Sequence, residues 1–136
     1  MKEKLINIFS IVIACIAFAV VVSLVEQWNP FSTPMPANIS VESEEFKRYL
    51  EMQPSSAFLW VALGYAVGSI AAGFALSRIN QHISTSRITL SGGLMGLAVL
   101  NMLTIPHPTW FWLHLIVYFP CVYLGTKIFP RSQPQH

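Results

Sequence analysis

The polar side chains that lie within the long apolar stretches of this sequence are the first candidates for chemistry. Placing an ionisable or hydrogen-bonding group inside a membrane costs several kcal/mol, so such groups are expected to have a role. The central parts of these stretches contain no Asp, Lys or Arg. Five residues near one predicted end of the stretches are candidates for a shallow outer polar cavity. They are Glu26, Asn101, His114, Tyr65 and Tyr118.

His114 gives this cavity its most specific chemistry, because an imidazole titrates near neutral pH. The alternative interpretation, which we favour, is that each of the five side chains lies close enough to the lipid headgroups to reach water or a neighbouring amide. Sequence signatures of catalysis are missing. There is no HExxH motif, no phosphate-binding loop and no pair of carboxylates within one apolar stretch. We therefore expect neither an enzyme nor a cofactor or metal site.

The elements that must position these residues are four membrane-spanning helices. Apolar residues make up 54% of the 136-residue chain and charged residues 10%, whereas a soluble domain averages about 25% charged. The first stretch alone has 21 residues without a charge, enough to span a bilayer as an uncleaved helix. The composition predicts one all-α transmembrane domain, a four-helix bundle over residues 1–136. The helices are predicted at about residues 5–25, 57–77, 88–105 and 111–128.

The outer loop, residues 26–56, is the one sizeable polar region. Ser40 to Gln53 is predicted to form a short amphipathic helix that Ser40 caps and Pro54 ends. This helix is expected to form a lid on the membrane surface, and a docking site for a soluble partner is the alternative. The residues that such a partner would contact are Glu42, Glu44, Glu45, Phe46 and Tyr49.

Small residues at helical spacing mark two surfaces for close helix packing. Glycine allows the closest approach of two backbones, and close approach drives helix association in lipid. The second helix carries Gly64, Gly68 and Ala72, and the third carries Gly92 and Gly96. Their similar depth predicts that helices two and three pack against each other within one chain. A homodimer through one of the surfaces is the alternative.

Pro120 lies in the middle of the predicted fourth helix. Proline removes a backbone donor from a helix, so the sequence predicts a kink at this point.

The orientation follows from the distribution of basic residues, since cytoplasmic loops carry the excess of Lys and Arg. Both termini are predicted to be cytoplasmic, which places six basic residues inside and only Lys47 and Arg48 outside. The inner six are Lys2, Lys4, Arg78, Arg87, Lys127 and Arg131.

Two segments carry a resemblance to a known group of proteins. Residues 66–75, AVGSIAAGFA, and residues 105–111, IPHPTWF, resemble those of small uncharacterised four-helix bacterial inner-membrane proteins with a turn of the IPHPxWF type. The likeness covers about residues 50–128. It implies a multi-pass protein of the bacterial inner membrane and implies no activity.

Together these features predict a small structural or accessory membrane protein that assembles with itself or with a larger membrane complex. The scarcity of charge within the helices favours this function, because coupled transport usually needs an ionisable group inside the bundle. The alternative is a small dimeric solute transporter or channel that uses the outer polar cavity. The expected partners are the lipid bilayer and another membrane protein or a second copy, without nucleic acid.

Overall fold

A computed structural model describes residues 2–80 and 83–128 of the chain. Over these residues the fold is all-α, without strands. The helices are α1 (Lys2–Gln27), α2 (Glu44–Glu51), α3 (Ser55–Ile79), α4 (Ile83–Thr104) and α5 (Tyr118–Ile128), and a 3₁₀ segment (Thr109–Val117) leads directly into α5.

Four stretches of helix are long and apolar enough to cross a membrane. They are α1, α3, α4 and the continuous Thr109–Ile128 stretch formed by the 3₁₀ segment and α5. The all-α class is therefore confirmed, as is the presence of four helical stretches long and apolar enough to span a membrane. Arg131, one of the six basic residues predicted to be inside, lies outside the described residues.

The second and third spans leave a shorter gap between them than residues 78–87, which the predicted helices at 57–77 and 88–105 leave. Helix α3 continues to Ile79 and α4 begins at Ile83. Polar residues in this region mark the edge of the apolar stretch, but they do not stop the helix. The Thr89 hydroxyl, for example, donates to the Thr85 carbonyl within α4 at 3.0 Å.

Helix α3 is the central element, and it packs most extensively against α1 and α5. Helix α4 packs far less extensively against the other spans. The main apolar core therefore lies around α3. Its buried members are Ala14, Ala72, Leu76, Leu90, Leu94, Tyr118 and Val122.

Glycines set the close approach of α3 to its two main neighbours. A Cβ at Gly68 would lie 2.8 Å from a Val22 methyl group on α1, and Gly64 faces Val25 in the same way at 3.2 Å. On the other side of α3, a Cβ at Gly73 would collide with the Val122 carbonyl oxygen. A Cβ at Gly125 would collide with the Ile70 carbonyl oxygen. Backbone therefore touches backbone where α3 crosses α5.

The prediction that the glycines of helices two and three pack against each other is wrong. Gly64 and Gly68 face α1, whereas Gly92 and Gly96 have no neighbour, within the described chain, closer than 4 Å to the position that a Cβ would occupy. The reason is the rotation of α4, which turns Leu90 and Leu94 towards the bundle interior. At about 100° per residue, Gly96 then points away from that interior.

The amphipathic helix in the outer loop is shorter than predicted and begins at a different cap. Helix α2 covers Glu44–Glu51, and the Phe46 amide donates to the Ser43 side chain at 3.2 Å. Ser40 instead holds the preceding turn, where its carbonyl accepts from the Ser43 amide at 3.0 Å. Ser43 is the better cap because its hydroxyl lies three residues before the Phe46 amide, which has no partner four residues earlier within α2 and shares its hydrogen between the Ser43 hydroxyl and the Ser43 carbonyl oxygen.

The fourth span changes helix type just before Pro120, and the predicted kink at this proline stays a prediction. The 3₁₀ segment ends at Val117 and α5 begins at Tyr118, which places Pro120 third in α5. Proline is tolerated in the first turn of an α-helix because amides there have no partner within the helix.

Candidate functional site

His114 is the buried polar side chain with the most distinctive surroundings. It is 5% exposed, and its Nδ1 lies 2.6 Å from the Phe111 carbonyl oxygen. A carbonyl only accepts hydrogen bonds, so Nδ1 carries the proton and donates it. In the neutral ring Nε2 is then an acceptor. Nε2 is buried and has no hydrogen-bond partner among residues 2–80 and 83–128.

Aromatic rings surround this imidazole, and we call the group the His114 cluster. The His114 ring centroid lies 4.4 Å from that of Phe111, 5.2 Å from Tyr65 and 5.9 Å from Tyr118. Phe18 of α1 packs against both tyrosine rings, with each pair of centroids 6.2 Å apart. The cluster thus joins α1, α3 and the whole fourth span.

The 3₁₀ geometry explains why Phe111 and His114 stack. Side chains three residues apart are eclipsed in a 3₁₀ helix, whereas they are offset in an α-helix. A 3₁₀ run of nine residues is long for this conformation. The sequence alone gives no sign of it, because the apolar pattern of residues 109–117 suits an α-helix equally well.

The structure brings together three of the five residues predicted for the outer polar cavity. His114, Tyr65 and Tyr118 are mutual neighbours. Glu26 is exposed in the last turn of α1, and Asn101 is half-buried on α4. Neither makes a hydrogen bond or ring contact with the His114 cluster in the described part of the chain. The three clustered residues are therefore the candidate site, and the open cavity stays a prediction.

The residues predicted for partner contact divide into two groups. Phe46 is buried and stacks on Tyr49 with centroids 6.2 Å apart, and the Tyr49 hydroxyl donates to the Thr33 carbonyl at 2.5 Å. These two side chains therefore hold the loop together, and their contact with a partner stays a prediction. The carboxylates of Glu42, Glu44 and Glu45 are exposed.

One of these carboxylates already has a partner within α2. Glu44 and Lys47 form an ion pair at 2.5 Å, and the hydrogen bond and charge of Lys47 lower the pKa of Glu44. Exposed pairs of this kind contribute little to stability. A partner for the acidic side of α2 stays a prediction.

Sequence reasoning missed a buried polar cluster at the opposite end of the molecule. Asn80 is 1% exposed, and its side-chain amide donates to the hydroxyl of Ser86 at 2.7 Å and of Ser10 at 3.3 Å. These contacts tie the end of α3 to α1 and α4. The signal in the sequence is faint, because Ser10 and Ser86 are hydroxyl residues that helices tolerate without a special role.

The same end of the molecule gathers basic side chains. Arg87 of α4 lies 4.7 Å above the Tyr123 ring, and Lys127 lies 5.6 Å from that ring. The start of α1 joins this end through Ser10.

Comparisons with protein-family models, with curated proteins and with solved structures find no match to this chain.

Proposed function

We propose that this protein is a small structural membrane protein that assembles through the exposed glycine face of α4 with a second copy or with a helix of a larger membrane complex. The glycine face is defined by Thr89, Gly92, Gly93, Gly96, Leu100 and Leu103. The bacterial inner membrane is the location that this proposal adopts from the resemblance, and cytoplasmic termini are adopted from the distribution of basic residues.

The observation that carries the proposal is a contrast between glycines. Gly64, Gly68, Gly73 and Gly125 each have a neighbouring helix within 4 Å of the position where a Cβ would lie. Gly92, Gly93 and Gly96 have no such neighbour in the described chain. Leu100 and Leu103, further along the same face, are 60% and 69% exposed.

The physical argument is that lipid fills such a groove poorly compared with another helix. Association in lipid is driven by close van der Waals packing, because lipid tails are as apolar as leucine side chains. Helix α4 is also the span that packs least against the rest of the chain. A second helix on the glycine face would therefore complete the packing of the least supported span. A self-complementary face of this kind suits a two-fold dimer.

The test is the oligomeric mass of the full chain in a mild detergent and in lipid nanodiscs. The variant Gly92→Leu/Gly96→Leu should shift the protein from dimer to monomer, because the leucine side chains prevent close approach. Ala19→Leu is the matched control, since Ala19 is an exposed small residue on α1. Equal masses for the wild type and the glycine variant would contradict self-assembly through this face.

A second candidate function, a small transporter or channel, is supported by one specific observation. The buried Nε2 of His114 has no partner in the described residues, and a polar atom in this state usually has a structural or functional explanation. In a transporter this atom would accept a hydrogen bond from a solute or from a transient water chain.

The two functions separate in a flux assay with liposomes. His114→Ala and Glu26→Gln should abolish transport if the second function is correct, whereas the oligomeric mass should not change. Wild-type flux in both variants, or no flux in the wild-type protein, would remove the second candidate.

A further inference from the structure

An open groove of about 280 Å³ lies between the end of α2 and the turn that joins α4 to the 3₁₀ segment. None of its lining residues belongs to the glycine face, and the inference does not depend on the proposed function. The groove is lined by Leu50, Glu51, Gln53, Phe58, Pro106, His107 and Pro108.

The charge of the groove comes from Glu51. Glu51 is exposed and forms no ion pair within the described chain, where the ion pair on α2 joins Lys47 to Glu44. The neighbouring Gln53 is already committed, since its side chain donates to the Thr33 hydroxyl at 2.5 Å and accepts from the Thr33 amide at 3.0 Å. The groove therefore offers the Glu51 carboxylate as a hydrogen-bond acceptor. The Gln53 side chain next to it is held in place by its hydrogen bonds to Thr33.

The floor of the groove is aromatic and carries no positive charge at neutral pH. Phe58 is 7% exposed, and the His107 ring meets it edge to face with centroids 6.1 Å apart. His107 Nδ1 donates to the Ile105 carbonyl oxygen at 2.6 Å. Burial lowers the pKa of His107, so its ring is neutral at pH 7 and does not repel a cation. A carboxylate beside aromatic rings is a favourable setting for an ammonium group.

The position of the groove indicates that an ammonium group bound there would belong to a lipid headgroup. Trp110 packs edge to face on Phe58, with centroids 6.4 Å apart, and is itself 37% exposed. Tryptophan is enriched at the depth of the lipid headgroups. The apolar Leu50 and the two prolines on the rim suit the glycerol and upper acyl region of a lipid.

We propose that this groove binds the primary ammonium headgroup of a phosphatidylethanolamine lipid, with the Glu51 carboxylate accepting hydrogen bonds from the ammonium and Phe58 and His107 forming the floor. A primary ammonium donates three hydrogen bonds, which a choline headgroup lacks. All three lipids carry an anionic phosphate, but phosphatidylglycerol has no ammonium group to offset the repulsion between that phosphate and Glu51. The expected order of affinity is therefore phosphatidylethanolamine, then phosphatidylcholine, then phosphatidylglycerol.

The experiment is native mass spectrometry of the full chain in detergent, titrated with these three lipids carrying identical acyl chains. Glu51→Gln should weaken phosphatidylethanolamine binding about tenfold, the size expected for losing one charge-assisted hydrogen bond. Glu45→Gln is the matched control, because Glu45 is exposed on α2 outside the groove. It should bind as the wild type does.

Three results would overturn the proposal. The first is equal binding of the three lipids, and the second is equal loss of affinity in both glutamine variants. The third is complete displacement of the lipid by an equimolar amount of soluble phosphoethanolamine, which would assign the groove to a free amine. Because Glu51 is an exposed residue and glutamine has the same shape, thermal unfolding of both variants should match the wild type.

Discussion

At the scale of single residues, Asn80 is the polar side chain whose removal should cost most. Asn80→Ala takes away the donor that the buried hydroxyls of Ser10 and Ser86 share. The Ser10 hydroxyl keeps its hydrogen bond to the Asn7 carbonyl oxygen, whereas the Ser86 hydroxyl loses its short contact with Asn80. Loss of a partner by a buried polar group costs about 1–3 kcal/mol, so we expect a loss of about 2 kcal/mol in the free energy of unfolding. Reversible unfolding in mixed detergent micelles measures it. Ser84→Ala, an exposed change in the first turn of α4, is the control, and an equal effect from both variants would contradict the role of Asn80.

His107 is expected to make stability depend on pH. Burial lowers the pKa of His107 in the folded protein below its ordinary value, so the unfolded chain binds the proton more readily. Stability is then highest above the unfolded pKa of about 6.5 and falls as the pH drops towards the folded value.

The measurement is the unfolding temperature at pH 7.5 and at pH 5.5 for the wild type and for His107→Gln. The wild type should lose more stability on acidification than the variant. An identical pH dependence in the two proteins would show that another group is responsible.

At the scale of elements, the crossing of α3 and α5 is expected to be the most sensitive contact in the fold. Gly73→Ala places a methyl group against the Val122 carbonyl, which belongs to the backbone and cannot rotate away. Overpacking typically costs about 1–3 kcal/mol, and here a cost at the upper end of that range is expected. Gly93→Ala, measured in a detergent that keeps the protein monomeric, is the matched control, because within the described single chain its methyl group has no neighbour closer than 4 Å.

The Gly93 variant should also gain slightly from the higher helix propensity of alanine, by up to about 1 kcal/mol. Thermal unfolding of the two variants in the same detergent measures the difference. A Gly73 variant as stable as the Gly93 variant would contradict the close crossing of α3 and α5.

The elements themselves were largely predictable from the sequence, whereas their partners were not. Apolar length alone located four spans, because a bilayer imposes that length on every helix. Rotation about the helix axis is set by packing, so the small residues at Gly64 and Gly92 could not indicate which neighbour each would face. The close approach of α3 and α5 involves one glycine from each helix, Gly73 and Gly125. A glycine that is not part of a repeated small-residue pattern is a weak signal in membrane sequences.

The candidate site was predictable only in part, because the sequence indicates the depth of a polar side chain but not its neighbours. His114, Tyr65 and Tyr118 were found because polar side chains in apolar stretches are few. The long 3₁₀ segment that stacks His114 on Phe111 has no counterpart in the sequence pattern. Glu26 shares the predicted depth of His114, but depth does not specify which face of α1 it occupies.

At the scale of the whole molecule, the distribution of basic residues predicts which end faces the cytoplasm. Ser10, Asn80 and Ser86 join α1, α3 and α4 at one end, and Arg78 and Arg87 are close to that end in the sequence. The positive-inside rule predicts that this end faces the cytoplasm and that α2 lies outside.

A membrane-impermeant maleimide tests this orientation in intact cells, with Cys15 and Cys121 replaced by serine. A cysteine in place of Glu42 should be labelled, whereas a cysteine in place of Ser84 should react only after permeabilisation. The reverse pattern would invert the orientation.

The measurement that tests assembly through the glycine face most directly is photocrosslinking in native membranes. A photoreactive amino acid in place of Leu100 samples the glycine face, and one in place of Val20 samples an exposed position on α1. We expect a crosslinked protein, at the mass of two chains or of one chain with a larger membrane protein, from position 100 and only lipid adducts from position 20. Lipid adducts alone at both positions would mean that lipid covers the glycine face, and would contradict the proposed assembly.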